Sequence, residues 1–126
     1  MELAAECYSA TRGFPREEAF GMTSQIRRSA ASVPANIAEG YGRDHPGSYI
    51  QSLRIAQGSL KELETHILLS QRVGLLEASS MTQLLTRAEA VGKMLRSLIR
   101  SLQQSDRVTI QRLPTAETRL PRRSRS

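Results

Sequence analysis

The stretch SVPANIAEGYGR, residues 32–43, decides the fold because it combines the spacing of a helix with residues that interrupt helices. Pro34 lacks the N–H that a continuous helix needs, which typically costs about 3 kcal/mol in a helix interior. Two interpretations are open. Either Ser32 caps a fresh helix with Pro34 in its first turn, or one helix spans residues 23–39 and kinks at the proline.

The apolar residues around the proline favour the single kinked helix. They keep one helical phase on both sides of it, whereas a break would usually shift that phase. The stripe consists of Ile26, Ala30, Val33 and Ile37. Gly40 follows, and glycine readily takes the left-handed conformation found at helix C-termini. We therefore predict a kink at Pro34 and a C-terminal cap at Gly40.

Three further segments carry the same three- and four-residue spacing, which is typical of amphipathic helices. Their members are Leu3, Cys7, Ala10 and Phe14; then Leu53, Ala56, Leu60, Leu63 and Ile67; and last Met81, Leu84, Ala88, Val91, Leu95, Leu98 and Leu102. Short segments rich in glycine and proline or serine, at residues 13–21, 40–48 and 72–80, separate the four stripes. We therefore predict an all-α fold, an up-and-down antiparallel four-helix bundle.

The net charge of +6 is concentrated toward the C-terminal end. Residues 103–126 hold six arginines against two acidic residues and so carry +4, whereas residues 1–102 hold 12 basic and 10 acidic side chains. The helical periodicity stops near Asp106, and the residues beyond it offer little apolar surface to bury. We predict a bundle over residues 1–104 and a disordered, arginine-rich tail over residues 105–126.

Composition excludes several classes of protein. No run of about 18 apolar residues is present, so we expect no membrane span, and Glu2 and Glu6 argue against a signal peptide. Cys7 is the single cysteine, which excludes an internal disulfide and is typical of a small buried side chain. We expect a cytoplasmic protein.

The sequence shows no constellation that would support catalysis. His45 and His66 lie far apart in sequence and have no cysteine at metal-ligand spacing. Glu62 and Glu64 are two residues apart on a helix, so they face different directions and form no carboxylate dyad. We predict no enzymatic activity, no metal and no cofactor.

Polar residues align on the predicted second helix. Arg28 and Glu39 are eleven residues apart, about three turns, and Asn36 lies between them. Alanines keep this helix thin enough for close approach by a neighbour: Ala30, Ala31, Ala35 and Ala38. Because buried polar groups need partners, we predict that the three polar side chains satisfy one another or groups on a neighbouring helix.

Two segments resemble a known family. GMTSQIRRSAASVPANIAEGYGR, residues 21–43, and YIQSLRIAQGSLKELETHILLSQRVGLL, residues 49–76, are similar to the four-helix bundle protein family, whose founding members are encoded in intervening sequences of bacterial large-subunit rRNA genes. The resemblance adds Glu64 to the predicted structural polar network. Members usually begin with a longer first helix, so either the start lies upstream of Met1 or a shortened helix leaves part of a groove uncovered.

The resemblance also implies partners. The family is similar to the accessory proteins of diversity-generating retroelements, which form pentameric rings of four-helix protomers and bind nucleic acid and a reverse transcriptase. It therefore implies a homo-oligomer, a pentamer by analogy, with RNA or DNA and a protein as further partners. No enzymatic activity is associated with this bundle.

Several basic residues are candidates for contacting nucleic-acid phosphates. They are Arg27, Arg43, Arg54, Lys93, Arg96 and Arg100. The last three follow three- and four-residue steps on one face of the predicted fourth helix. A solvated helix face is the alternative for a single protomer, whereas ring assembly would add the fields of several protomers and favour binding.

A protein-interaction scaffold that does not bind nucleic acid is the alternative function. Leu68 and Leu69 widen the apolar face of the predicted third helix beyond one stripe. They indicate either a surface for association or a thicker internal core.

Overall fold

Helices form where the sequence places its apolar stripes. The computed structural model describes residues 1–42 and 45–111, with side chains up to residue 105. Within this part, α1 spans Glu2–Thr11, α2 Met22–Tyr41, α3 Pro46–Arg72 and α4 Ala78–Gln111. A short 3₁₀ turn, Arg16–Glu18, lies between α1 and α2, and no strand occurs in the described ranges.

The helices pack in a closed cycle. Contacts join α1 to α2, α2 to α3, α3 to α4 and α4 to α1, and the α2–α3 interface is the most extensive. The C-terminal part of α2 lies against the N-terminal part of α3, because Gly40 faces Tyr49 and Ser52 while Ser32 meets Ser59. These contacts confirm the all-α, up-and-down bundle predicted from the sequence.

The predicted stripes form the core. All five residues of the α3 stripe are buried, and Cys7, Ile26, Ala30 and Leu95 are among the least exposed residues of the other helices. Ile99 is also buried, whereas Leu98, which the 3.5-residue spacing selected, is only partly buried. A straight α-helix has 3.6 residues per turn, so a pattern with a period of 3.5 residues drifts slowly around its surface. The buried side of α4 therefore includes residues beside the predicted stripe.

Pro34 lies inside an uninterrupted α2. This confirms the prediction of a single helix through the proline and excludes a new helix that begins at Ser32. The Ser32 hydroxyl has another role, since it lies 2.7 Å from the Ser59 hydroxyl of α3.

The prediction that Gly40 caps α2 in a left-handed conformation is wrong. The helix continues through Gly40 to Tyr41, and Gly42 after it has φ −82°, in the right-handed region. Gly40 is buried, and a Cβ placed on it would lie 2.7 Å from Cδ1 of Tyr49 and 2.9 Å from Cβ of Ser52. The position needs glycine because α3 approaches the α2 backbone too closely for a side chain.

A side-chain cap fixes the start of α3, and a glycine with positive φ lies just after its end. His45 precedes the helix, and its Nδ1 accepts a hydrogen bond from the Gly47 N–H at 3.0 Å, with Pro46 at the first helical position. At the other end, Gly74 has φ +87°, the left-handed conformation that favours glycine. The N–H of Leu75 then donates to the Ser70 carbonyl at 2.8 Å, which turns the chain toward α4.

The fourth helix continues to Gln111, beyond the domain boundary predicted at residue 104. The predicted tail from residue 112 onward lies outside the described residues.

Gly40→Ala should destabilise the fold because the new Cβ overlaps Tyr49 and Ser52. We expect the free energy of unfolding to fall by about 1–3 kcal/mol, the usual effect of overpacking. Gly58→Ala is the matched control, since a Cβ added at this position on α3 would meet no side chain and no other helix within 4 Å; it should raise stability by about 0.5–1 kcal/mol. Urea unfolding followed by circular dichroism measures both, and equal stabilisation by the two variants would contradict the close approach.

The Cys7 thiol should be protected from alkylation. Burial, with a smaller contribution from the Glu6 carboxylate, raises the pKa of Cys7 from 9.0 to about 11. At pH 8 this lowers the thiolate fraction by about 100-fold. We therefore expect iodoacetamide to label Cys7 quickly in urea and at least about 100-fold more slowly in buffer.

The same pKa difference predicts how stability depends on pH. The unfolded chain loses the thiol proton near pH 9, whereas the folded chain keeps it until about pH 11. The stabilising contribution of the protonated thiol is therefore complete below about pH 9 and is lost between these values. Cys7→Ala should remove this part of the alkaline loss of stability, and an unchanged pH profile would contradict it.

Candidate nucleic-acid interface

Arg27 does not lie on an open cationic surface. Its Nε donates to the Thr11 hydroxyl at 2.9 Å, and its Nη2 donates to the Tyr8 carbonyl at 3.4 Å. The guanidinium carbon also lies 4.7 Å from the centroid of the Tyr8 ring, a cation–π distance. Arg27 therefore ties α2 to α1, and these contacts occupy the group that was predicted to meet phosphates.

The other basic candidates divide by location. Lys93, Arg96 and Arg100 are all exposed on α4, and Arg54 is exposed on α3. Arg43 lies outside the described residues. The three α4 residues span seven positions, about 10 Å along the helix axis. We call these three residues the α4 cationic face.

A cleft of about 670 Å³ follows the seam between α3 and α4, beside the α4 cationic face. Gly58 and Gly92 contribute no side chains to its lining, and Leu60 and Leu85 supply apolar surface. A Cβ on Gly92 would lie 3.4 Å from Nη1 of Arg96. The Arg96 guanidinium therefore lies over Gly92 along the cleft, at a distance where a Cβ would make an ordinary van der Waals contact.

The cleft itself has mixed charge. Lys61 Nζ lies 3.6 Å from Glu64 Oε1, and Glu89 lines the cleft on the α4 side together with Arg96. The negative charges of the two glutamates offset the positive charges of Lys61 and Arg96, so the cleft attracts a polyanion only weakly. Lys93 and Arg100 do not line the cleft, and no ion pair joins either of them to a carboxylate among the side chains described up to residue 105.

Three of the four residues predicted to form one structural polar network, Arg28, Asn36 and Glu64, contact residues of their own helices. Arg28 Nη2 donates to Gln25 Oε1 at 2.6 Å, and Asn36 Nδ2 donates to the Ser32 carbonyl and hydroxyl at 2.9 and 3.0 Å. Glu64 faces Lys61 on its own helix. Glu39 is exposed on α2. The described contacts therefore do not bring Arg28, Asn36 and Glu64 together.

The polar link between α2 and α3 runs instead through two serines. Ser32 accepts from Asn36 and meets Ser59 at 2.7 Å, so Asn36 supports the interface through Ser32. Sequence reasoning missed the contact between these two serines. Their only signal was their place among small residues in two adjacent helices, which does not specify a partner.

A salt bridge joins the first and last helices, which are neighbours in the bundle. Arg87 Nε lies 2.8 Å from Glu6 Oε2, which connects α4 to α1. With the Arg27 contacts, it gives the ten-residue α1 a polar attachment to each of its two neighbours.

The histidines occupy structural positions. His45 caps α3, and His66 on the same helix lies 3.7 Å from Glu62 through its Nε2. Among the described residues, no three histidine, cysteine, aspartate or glutamate side chains are grouped so as to hold a metal ion. No described helix is long and apolar enough to span a membrane.

Leu68 and Leu69 do not form a thicker core. They are 51% and 45% exposed, and Val73 one turn later is 59% exposed. These three residues form an apolar patch at the C-terminal end of α3, which we call the α3 patch. Of the two alternatives drawn from the sequence, the structure favours the surface.

Comparison with known proteins confirms the resemblance. The family model described as 23S rRNA-intervening sequence protein matches residues 1–97. A crystal structure from Bacteroides thetaiotaomicron, described as a protein with unknown function from the S23 ribosomal protein family, is 26% identical with a TM-score of 0.70. That match covers 78% of this chain and 92% of the other. No curated protein matches the chain.

Arg27→Gln should lower stability because it removes the charged hydrogen bond to Thr11 and the contact with Tyr8. We expect a loss of about 1–3 kcal/mol in the free energy of unfolding, whereas Arg54→Gln, at an exposed position, should change it by less than about 0.5 kcal/mol. Thermal unfolding compares the two variants. Equal stability of both would contradict a structural role for Arg27.

Proposed function

Since the chain belongs to the 23S rRNA-intervening sequence protein family, we propose that it is a non-enzymatic, self-associating helical bundle that binds nucleic acid without sequence specificity. Binding would use the α4 cationic face, and the protein would act in the cytoplasm as an assembly or accessory module. RNA and DNA are both candidate ligands, since phosphate contacts carry no sequence information.

The alignment of Lys93, Arg96 and Arg100 carries this proposal. All three are exposed, and they extend about 10 Å along one helix, a length over which duplex DNA presents several phosphates. The α4 sequence contains no aromatic residue on which bases could stack. Contacts of this kind are sequence-tolerant and weaken with salt.

Self-association strengthens the electrostatic argument. Residues 1–102 have a net charge of only +2, too small for strong attraction by one protomer. In a closed homo-oligomer, with a pentamer as the expectation from the family resemblance, equivalent α4 faces would add their fields.

The absence of catalysis is part of the proposal and rests on the distribution of reactive side chains. Cys7 is buried with a raised pKa, so its thiol is a poor nucleophile. His45 is used as a helix cap, and Glu62 and Glu64 face different directions on α3.

A protein-interaction scaffold without nucleic-acid binding is the second candidate. The α3 patch supports it, because adjacent exposed apolar side chains on one helix end are typical of association surfaces. A reverse transcriptase or another enzyme would be the kind of partner implied by the family resemblance.

Neutralising the α4 cationic face should weaken binding to nucleic acid. The variant K93Q/R96Q/R100Q is compared with R12Q/R16Q/R72Q, which removes the same charge from exposed positions elsewhere. Anisotropy of labelled single-stranded RNA, single-stranded DNA and duplex DNA of equal length is measured between 50 and 200 mM salt. For duplex DNA, the logarithm of the association constant decreases as the logarithm of the salt concentration rises. We expect this dependence to become less steep by about 2–3 in the α4 variant only.

Two outcomes would reject parts of this proposal. Equal loss in both triple variants would assign binding to overall charge and not to α4. No binding of the native protein at the lowest salt would remove nucleic acid altogether and leave the scaffold function. Circular dichroism of each variant ensures that altered folding does not cause the loss.

A further inference from the structure

The α3–α4 cleft has a basic end and an acidic end. On α4, Arg96 and Glu89 both line it and are seven residues apart, which corresponds to about 10 Å along the helix axis. Leu60 of α3 lies opposite Gly92, since its Cδ2 is 3.4 Å from the position of a Cβ there. Because the helices are antiparallel, Glu64, one turn after Leu60, lies at the same end of the cleft as Glu89.

Positive charge continues past the basic end of the cleft. Arg100 lies there on α4, and Arg54 lies on the cleft side of α3 because it is two turns before Lys61, a residue of the cleft lining. Both arginines are exposed. The sequence contains no acidic residue between positions 46 and 57 of α3 or between positions 90 and 105 of α4. A nucleic-acid backbone is therefore attracted up to this end of the cleft.

The interior of the cleft suits a nucleoside. Its volume of about 670 Å³ is within the range of about 300–1,000 Å³ that is usual for small-molecule sites. Leu60 and Leu85 supply apolar surface for the face of a base, and Gly92 adds no side chain above them. The carboxylates of Glu64 and Glu89 can accept hydrogen bonds from sugar hydroxyl groups, and such bonds to a charged acceptor are strong.

The acidic end discriminates between the groups that can terminate a nucleic acid. Lys61 pairs with Glu64 at 3.6 Å and offsets one of the two carboxylates, so this end keeps a net negative charge. A terminal hydroxyl group donates a hydrogen bond to a carboxylate. A terminal phosphate carries a charge of about −1.5 to −2 at pH 7 and is repelled. An internal nucleotide is also disfavoured, because it would place its second phosphate at this end.

We propose that the α3–α4 cleft binds the terminal nucleoside of a single-stranded nucleic acid that ends in a hydroxyl group. The phosphate that joins this nucleoside to the chain lies at Arg96, and the chain leaves past Arg54 and Arg100 along the α4 cationic face. A 3′-hydroxyl and a 5′-hydroxyl end share this chemistry. The inference rests on the nucleic-acid binding in the proposed function and adds the part of the ligand that is recognised.

Phosphates placed on the ends of an oligonucleotide test this site. Four single-stranded RNAs of one sequence, labelled on an internal base, carry hydroxyl groups at both ends, a phosphate at the 5′ end, a phosphate at the 3′ end, or phosphates at both. Fluorescence anisotropy at low salt gives the dissociation constants. We expect a phosphate on the recognised end to weaken binding by about 5- to 10-fold, although it adds negative charge to the probe. The end at which this occurs identifies which hydroxyl group enters the cleft.

Neutralising the acidic end should remove the preference. In E64Q/E89Q, we expect hydroxyl-ended and phosphate-ended probes to bind within about twofold of each other. The control E17Q/E77Q makes the same change of charge at two exposed positions outside the cleft and should keep the native preference. Circular dichroism checks that both variants are folded.

A circular probe tests the site in the native protein without any substitution. A covalently closed RNA circle of the same sequence has the same internal phosphates and no end. We expect the native protein to bind this circle about 5- to 10-fold more weakly than the linear probe with two hydroxyl ends.

The outcomes separate this site from the wider function. A native protein that binds none of the probes at the lowest salt overturns both the end site and the proposed nucleic-acid binding. Equal binding of the circle and all four linear probes overturns the end site alone and leaves the α4 cationic face. A preference that persists in E64Q/E89Q, or that is lost equally in E17Q/E77Q, also overturns the end site.

Discussion

The close approach of α2 to α3 is the constraint on which the rest of the bundle depends. Gly40 leaves no room for a Cβ against Tyr49 and Ser52, and the hydroxyls of Ser32 and Ser59 meet at 2.7 Å. Small residues let two backbones come together, and each polar group at such an interface needs a partner there. This pair forms the most extensive helix–helix contact, and the other two helices pack against it.

Polar contacts position the short first helix on this pair. Arg27 reaches from α2 to Thr11, and Arg87 reaches from α4 to Glu6. Basic residues therefore serve two purposes in the chain. Some hold helices together, while those on the outer side of α4 stay exposed to solvent. A basic residue that holds two helices together is not available for a polyanion, so the count of basic residues overstates the binding surface.

The described part of the molecule presents open surface features and not one enclosed site. The α3–α4 cleft carries opposing charges, the α3 patch is apolar, and the groove beside α1 is narrow. Such surfaces suit contact with other macromolecules, which agrees with a role in assembly. The α4 helix borders both the cleft and the groove and also carries the α4 cationic face.

The amino-acid sequence by itself determined the number and order of the helices, their core stripes and the continuity of α2 through Pro34. These features depend on local spacing, which repeats every three or four residues along the chain. The tertiary structure decided which polar residues meet. Arg27 and Tyr8 are nineteen positions apart, and Gly40 is needed because of Tyr49 and not because of a helix end. A contact between helices depends on how closely and at what rotation they pack, and helical periodicity contains neither quantity.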